Sequence, residues 1–176
     1  AAGYQVVFVE VMDELVTALN ARGRYRVMIR DVQSEELWVE HVRAVHGKDL
    51  DAVADAVAEA DIAATAVGPN ALPFLYPGIA RGLMTRQARR GLRPLDIILA
   101  ENLRNAAAIV RTGLQGHLPA DFPLDEMVGL VETSIGKMVP IMTEEQRAED
   151  LLWVFAEAYH TLILDARAFR NPIPEV

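Results

Sequence analysis

The apolar positions of this chain change period repeatedly, and each change predicts a new element. Residues 5–11, QVVFVEV, form a β-branched run that reads as a buried strand broken only by Glu10. From Met12 the period lengthens: Leu15, Val16 and Leu19 share one helical face, and Gly23 stops the helix. Residues 25–29 and 38–45 predict shorter strands. Residues 50–60 are Ala-rich, with Val53 and Val57 four apart, and predict a short packed helix. IAATAV, residues 62–67, predicts a small-residue buried strand closed by Gly68 and Pro69. The spacing then predicts a helix from Asn70 to about Gln87, interrupted or kinked near Pro77 and Gly78. LDIILA, residues 95–100, predicts another strand, followed by Glu101-Asn102 and a helix to about Leu114. Strands alternating with helices at these lengths predict an α/β fold built from βαβ units, with a Rossmann-type parallel sheet flanked by helices.

After GHLPADFPL the pattern loosens. Residues 128–139 read as strand-like, TEEQ at 143–146 is a capping box opening a short helix, and residues 151–155 and 161–164 read as extended segments. Hydrophobic residues make up 52% of the 176, which argues for a packed domain and against disorder. Cysteine is absent, so disulfide and thiolate chemistry are excluded, as suits a cytoplasmic protein. The net charge of −8 argues against a general nucleic-acid binder. The exception is the cluster Arg81, Arg86, Arg89, Arg90 and Arg93, read here as a solvated helix end in preference to an anion site. No apolar run reaches the roughly 20 residues of a membrane span, and no signal peptide is visible.

The chemistry lies at strand ends. In a dinucleotide-binding fold the second strand ends in an acidic residue that accepts from the adenosine ribose hydroxyls, about 20 residues after a glycine-rich loop. Glu10 fits that role if the loop precedes residue 1, which would also account for a first Met at position 12. A carboxylate there would repel a 2′-phosphate and so favour NAD over NADP. Equally, Glu10 can serve a helix N-terminus together with Asp13 and Glu14. Ala66, Val67 and Gly68 place small residues where backbone would pass close to a cofactor, or where a helix packs on a sheet. Asn102 can donate to an oxygen developing negative charge. Asn is also a preferred N-cap, and on the residues alone the cap is favoured.

EVMDELVTALNARGRY, DIAATAVGPN, GIARGL, PLDIILAENLRNA and VETSIGKMVP, in this order, resemble the mannitol-1-phosphate 5-dehydrogenases and the wider polyol dehydrogenase family over nearly the whole chain. The resemblance implies an NAD-binding Rossmann domain and an oxidoreductase that passes hydride between NAD and a sugar alcohol, with mannitol 1-phosphate and fructose 6-phosphate as the expected pair. It implies that Glu10, with Val11 beside it, holds the adenosine ribose, although the family usually has Asp there. It implies that Ala66, Val67 and Gly68 line the cofactor site, that Asn102 faces the reacting carbon, and that Glu101, Asn102 and Lys137 meet the substrate. The lysine base, with its Asn and His, belongs to a helical C-terminal domain outside these residues, so the 176 residues alone are expected to be inactive. Residues 1–176 then form one NAD-binding domain lacking its first strand, with 118–176 the irregular part leading towards a substrate domain. Gly136-Lys137 departs from the family's usual Asp-Arg pair; Lys keeps the charge but loses the bidentate fork.

In strand order 3-2-1-4-5-6 the first strand is central. Its absence is expected to leave the strands at Val6 and Ile62 with unpaired edges, either as a gap or repaired by self-association with another chain. His41, His46, His117 and His160 form no metal motif and are read as structural. No GxSxG elbow, P-loop or paired-carboxylate motif points to a hydrolase or kinase. Two other readings compete: a non-catalytic nucleotide-binding or interaction module, and, ranked below it, a different Rossmann dehydrogenase.

Overall fold

The computed structural model describes residues 3–30, 34–136, 142–159 and 161–174. In chain order the elements begin β1 (Val6–Glu10), α1 (Asp13–Arg22), β2 (Arg24–Arg30), β3 (Glu35–Glu40), β4 (Val42–His46), α2 (Leu50–Glu59), β5 (Ile62–Thr65) and α3 (Leu72–Arg90). They continue with β6 (Leu95–Leu99), α4 (Ala106–Gln115), α5 (Leu124–Met127), β7 (Val128–Ser134), α6 (Glu144–Glu149), β8 (Trp153–Glu157), β9 (Ile163–Leu164) and a 3₁₀ turn (Ala166–Ala168). The chain divides into two compact units, one of residues 1–49 and 136–161, the other of 50–135 and 162–176. The predicted α/β class, with parallel strands flanked by helices, is what the structure has.

In the first unit β1 and β4 pair in parallel, with Glu10 opposite His46 at their carboxyl ends. The outer edge of β4 is protected by a side chain: the Asn20 amide of α1 donates to the Ala44 carbonyl and accepts from the Ala44 N–H, at 2.9 and 2.8 Å. A primary amide thus stands in for a missing strand, which is one way to blunt an exposed edge. Leu19, Val42, Ala44 and Leu152 form the small core beneath. A second sheet, β3-β2-β8, carries an arginine and aromatic face. Arg24, Arg26 and Arg30 alternate along β2 and therefore share a side. They lie 4.7, 4.0 and 3.9 Å from the ring centroids of Trp38, Trp153 and Phe155 respectively. The helix α6 opens with the predicted capping box, in which Thr143 and Gln146 bond each other's backbone.

Residues 38–45 are predicted as a single strand, and here the structure differs. His41 has φ +60, so the chain turns out of β3, antiparallel to β2, and into β4, parallel to β1. An apolar alternation that runs through the turn conceals it.

The second unit is built on a sheet of order β5-β6-β7-β9, parallel through β7 and antiparallel at the β9 edge. Strand β6 has parallel partners on both sides, and Leu95, Ile97 and Leu99 are almost wholly buried. Such two-sided burial explains why LDIIL reads as a continuous apolar run. Among the described residues β5 has β6 as its strand partner and β1 has β4. α3 is one unbroken helix through Pro77, without the predicted interruption. Pro77 is the sixth residue of α3, so the helix runs on past one missing N–H donor, that to the Pro73 carbonyl. A Cβ at Gly82 would overlap Val57, so the glycine lets α2 and α3 approach closely.

Within the arginine cluster Arg81, Arg89 and Arg93 are exposed, as the solvated reading has it, and Arg86 is the buried exception. Arg81 pairs with Asp51, Arg89 with Asp55 at 2.7 Å, and Arg90 with Glu59, so α3 is laced to α2. Arg86 is buried, and its guanidinium donates to the carbonyls of Ala58, Ala60, Arg93 and Pro94 at 2.7–3.0 Å. Burial pulls its pKa down, yet four carbonyls satisfy a group that stays charged. Asp96, equally buried at the second position of β6, accepts from the backbone N–H groups of Arg170 and Asn171 and from the Asn171 amide. Gly129 on β7 leaves the space this carboxylate occupies.

Replacing Arg86 by Lys removes the planar fork and strands carbonyls in the interior. We expect Arg86→Lys to lower the urea midpoint of the intact gene product by the equivalent of about 2–3 kcal/mol. Arg81→Lys, which perturbs only an exposed pair, should cost within about 0.5 kcal/mol. Equal midpoints for the two variants would contradict this account.

Candidate functional site

In each unit the parallel strands deliver their chemistry to their carboxyl ends, the side on which open α/β sheets bind ligands. At the end of β1, Glu10 is half-buried, and its Oε1 accepts from the Val11 N–H at 2.6 Å and the Met12 N–H at 3.0 Å. The carboxylate therefore organises the turn into α1, whose first turn also holds Asp13 and Glu14. Val9, Val11 and Met12 expose apolar surface beside it, and Val11 contacts the space over Gly47.

His46 occupies the matching position on β4. Its Nδ1 accepts from the Lys48 N–H at 3.1 Å, so the proton lies on Nε2, 3.2 Å from Asp13 Oδ1. The strand-end logic applied to Glu10 would have singled out His46 too, because the two are register partners. His117 packs on Tyr76 at 6.5 Å between ring centroids.

In the second unit, β5 and β6 bring two loops side by side. The backbone pairing runs one step past the strands, with the Ala100 N–H donating to the Thr65 carbonyl at 2.9 Å. Beyond that point a side chain takes over. Glu101, 6% exposed, accepts from the Val67 N–H through Oε1 at 3.1 Å and from the Gly68 N–H through Oε2 at 2.7 Å. Gly68 has φ +81, a left-handed conformation that side chains resist, and its carbonyl accepts from Ala71 and Leu72 at the start of α3. Nothing lies within 4 Å of where its Cβ would be, so the turn borders open space. Ala66 and Val67 are exposed at its surface. Tyr76 lies near enough that burial first, and the Glu101 charge second, push its phenol up, which keeps it neutral.

Asn102 follows Glu101 and is exposed. It is not the N-cap of the following helix: α4 begins four residues later, with Asn105 at the cap position in a left-handed conformation and no side-chain cap bond. The capping work is done from elsewhere, by Glu132 within β7, which accepts from the Ala107 N–H at 2.9 Å. Sequence reading missed Glu132, although an acid closing the apolar run VGLVE is the same signal that marked Glu10. Val67, Gly68, Glu101 and Asn102 are thus brought together, Glu10 and Val11 belong to the first unit, and Lys137 lies outside the described residues. Gly136 is described, and a Cβ there would touch the Tyr159 ring at 3.7 Å.

Parallel strands whose carboxyl ends carry acidic and glycine-bearing turns, flanked by helices, define an α/β domain of the Rossmann, nucleotide-binding class. The family model described as the mannitol dehydrogenase Rossmann domain matches residues 1–176, and the chain belongs to that family. It is 34% identical over 177 residues to mannitol-1-phosphate 5-dehydrogenase of Brevibacillus brevis, covering 99% of this chain and 45% of that protein. It is 33% identical over 174 residues to the enzyme of the same name from Streptococcus mutans, covering 97% and 44%. The chain thus spans under half the length of these curated relatives. In fold it is similar to Pseudomonas fluorescens mannitol 2-dehydrogenase, solved as a ternary complex with NAD and D-mannitol. That match has a TM-score of 0.78 at 14% identity, over 93% of this chain and 43% of the other. Among the described residues no helix is long and apolar enough to cross a membrane.

Gly68→Ala meets no steric obstacle but must hold a left-handed backbone, at a cost of about 1–2 kcal/mol. Gly68→Asn, which tolerates that conformation better, should recover part of the loss in a urea or thermal titration. A larger loss for Asn than for Ala would show that space, not conformation, governs this turn.

Proposed function

We propose that this domain binds NAD along the carboxyl ends of its parallel strands and serves an oxidoreductase acting on a sugar alcohol. The observation that carries the reading is the paired turn at β5 and β6. It has an open, apolar face at Ala66–Gly68 and an exposed asparagine, freed from capping, directly beside it. The residues fit such a cofactor. In the second unit no atom lies within 4 Å of where a Gly68 Cβ would stand, which leaves that backbone open to a ligand. In the first unit, taken by itself, Val9, Val11 and Met12 expose apolar surface next to Glu10. Glu10 takes both backbone donors on Oε1, so Oε2 would accept from a ribose hydroxyl, and its charge would disfavour a 2′-phosphate.

When bound, NAD supplies the two-electron acceptor for alcohol oxidation, or the donor for ketose reduction in its reduced form. Val67 and Gly68 hold the turn against which the cofactor is oriented. The Asn102 amide donates a hydrogen bond to the substrate oxygen, which becomes more negative during either reaction. The proton is moved by a lysine which the family resemblance assigns to a C-terminal domain. Mannitol 1-phosphate is the favoured substrate on the names of the curated relatives, and the family resemblance implies fructose 6-phosphate as its oxidised partner. Lys137 offers a cation for the phosphate, where the family has an arginine. Gly136, in place of the family's aspartate, favours a second reading: a nucleotide-binding module without turnover.

Calorimetric titration of the intact gene product should detect NAD and a weaker or absent response to NADP. Asn102→Ala should lower kcat by about 100-fold or more while leaving NAD affinity unchanged. NAD binding without turnover of any polyol or ketose phosphate would support the module reading. Absence of NAD binding would overturn both. The 176 residues expressed alone should show no turnover, and measurable NAD-dependent activity would contradict the placement of the base.

A further inference from the structure

We propose that Glu101 is a positioning residue: its carboxylate fixes the Ala66–Gly68 turn for the cofactor and makes no contact with substrate. The inference rests on the NAD-binding reading above. Both carboxylate oxygens are committed, one to the Val67 N–H and one to the Gly68 N–H, and the side chain is buried. Each oxygen keeps a second lone pair, but at 6% exposure the carboxylate is enclosed by the turn it holds, so a substrate hydroxyl has little access to it.

The arrangement extends the sheet by other means. The β5–β6 backbone ladder reaches its last bond at Ala100 and Thr65, after which the two chains part. Two consecutive N–H groups of the departing β5 chain would then have no acceptor. The carboxylate from the next residue of the β6 chain reaches back and accepts both. Two converging backbone N–H groups are also a ready anion site. Here an internal carboxylate fills it, so the Val67 and Gly68 N–H groups are taken and do not serve a phosphate. Its outward face is Ala66 and Val67, and it is matched to an uncharged part of the cofactor.

Glu101 also sets where Asn102 begins. Upstream, the loop is tied to the β5 turn by Glu101; downstream, the first turn of α4 is tied to β7 by Glu132. Asn102 stands exposed between the two ties.

The test is Glu101→Gln in the intact gene product, with Glu101→Asp as a second variant that keeps the charge but is one methylene too short to reach both donors. Gln keeps the volume and offers one acceptor, turning its amide N–H groups on the other donor. In the cofactor-free protein, amide hydrogen exchange at Val67 and Gly68 should accelerate about tenfold or more in both variants. Exchange at Ile97 and Leu99 should stay at the wild-type rate, which reports an intact fold. The dissociation constant of NAD should rise about tenfold, with the KM of the polyol phosphate within about twofold of wild type. Unchanged exchange at Val67 and Gly68 would overturn the proposal. So would faster exchange with undiminished NAD binding, or a raised polyol KM with unchanged NAD affinity, which marks direct substrate contact. A wild-type protein that binds no NAD would instead overturn the underlying reading, and this inference with it.

Discussion

Strand β6 needs burial on both faces and a parallel neighbour on both edges, and the second unit follows from meeting that need. Parallel ladders are stable only where helices cover the sheet, so LDIIL obliges the chain to supply them. The arginines of α3 and acids of α2 hold two of those helices together, and Arg86 closes the entrance to the strand by collecting four carbonyls that would otherwise be orphaned. The far end of the same strand delivers Glu101 and Asn102. Scaffold and site are therefore consecutive stretches of one short segment.

Carboxylates repeatedly do what backbone cannot at the margins of this sheet. Glu10 serves the turn after β1, Glu101 the turn after β5, Glu132 the start of α4, and Asp96 the segment around Asn171. Each accepts from backbone N–H groups that no strand or helix reaches, which is the condition under which a buried charge is tolerable. The residues that look like ligand-binding acids from their position at strand ends are, in this state, internal acceptors first. A ligand role is then left to their remaining lone pairs or to the neighbours they hold in place.

Much of this was legible in the amino-acid pattern, and for a physical reason. Strands β1, β5 and β6, the helix α2 and the capping box at Thr143 depend on local period and local chemistry, which a short window contains. The α/β class and the family likeness followed from these elements in order. What escaped were features decided by distant partners. The turn at His41 separates two strands that pair in different sheets, and only those pairings reveal it. Asn102 looked like a cap because it follows a strand, whereas α4 starts later and borrows its acceptor from β7. Arg86 differs from Arg81 and Arg89 in nothing the sequence displays; its fate is set by which way α3 faces.

The grip of Asp96 on Arg170 and Asn171 has a mechanical consequence. A pull applied beyond Asn171 would load three hydrogen bonds to one side chain on the sheet's inner strand. It would not first peel the short edge strand β9, which has only two residues in register with β7. Tension along the backbone is thus delivered close to the root of the strand that carries Glu101 and Asn102, and the two turns at its far end are spared.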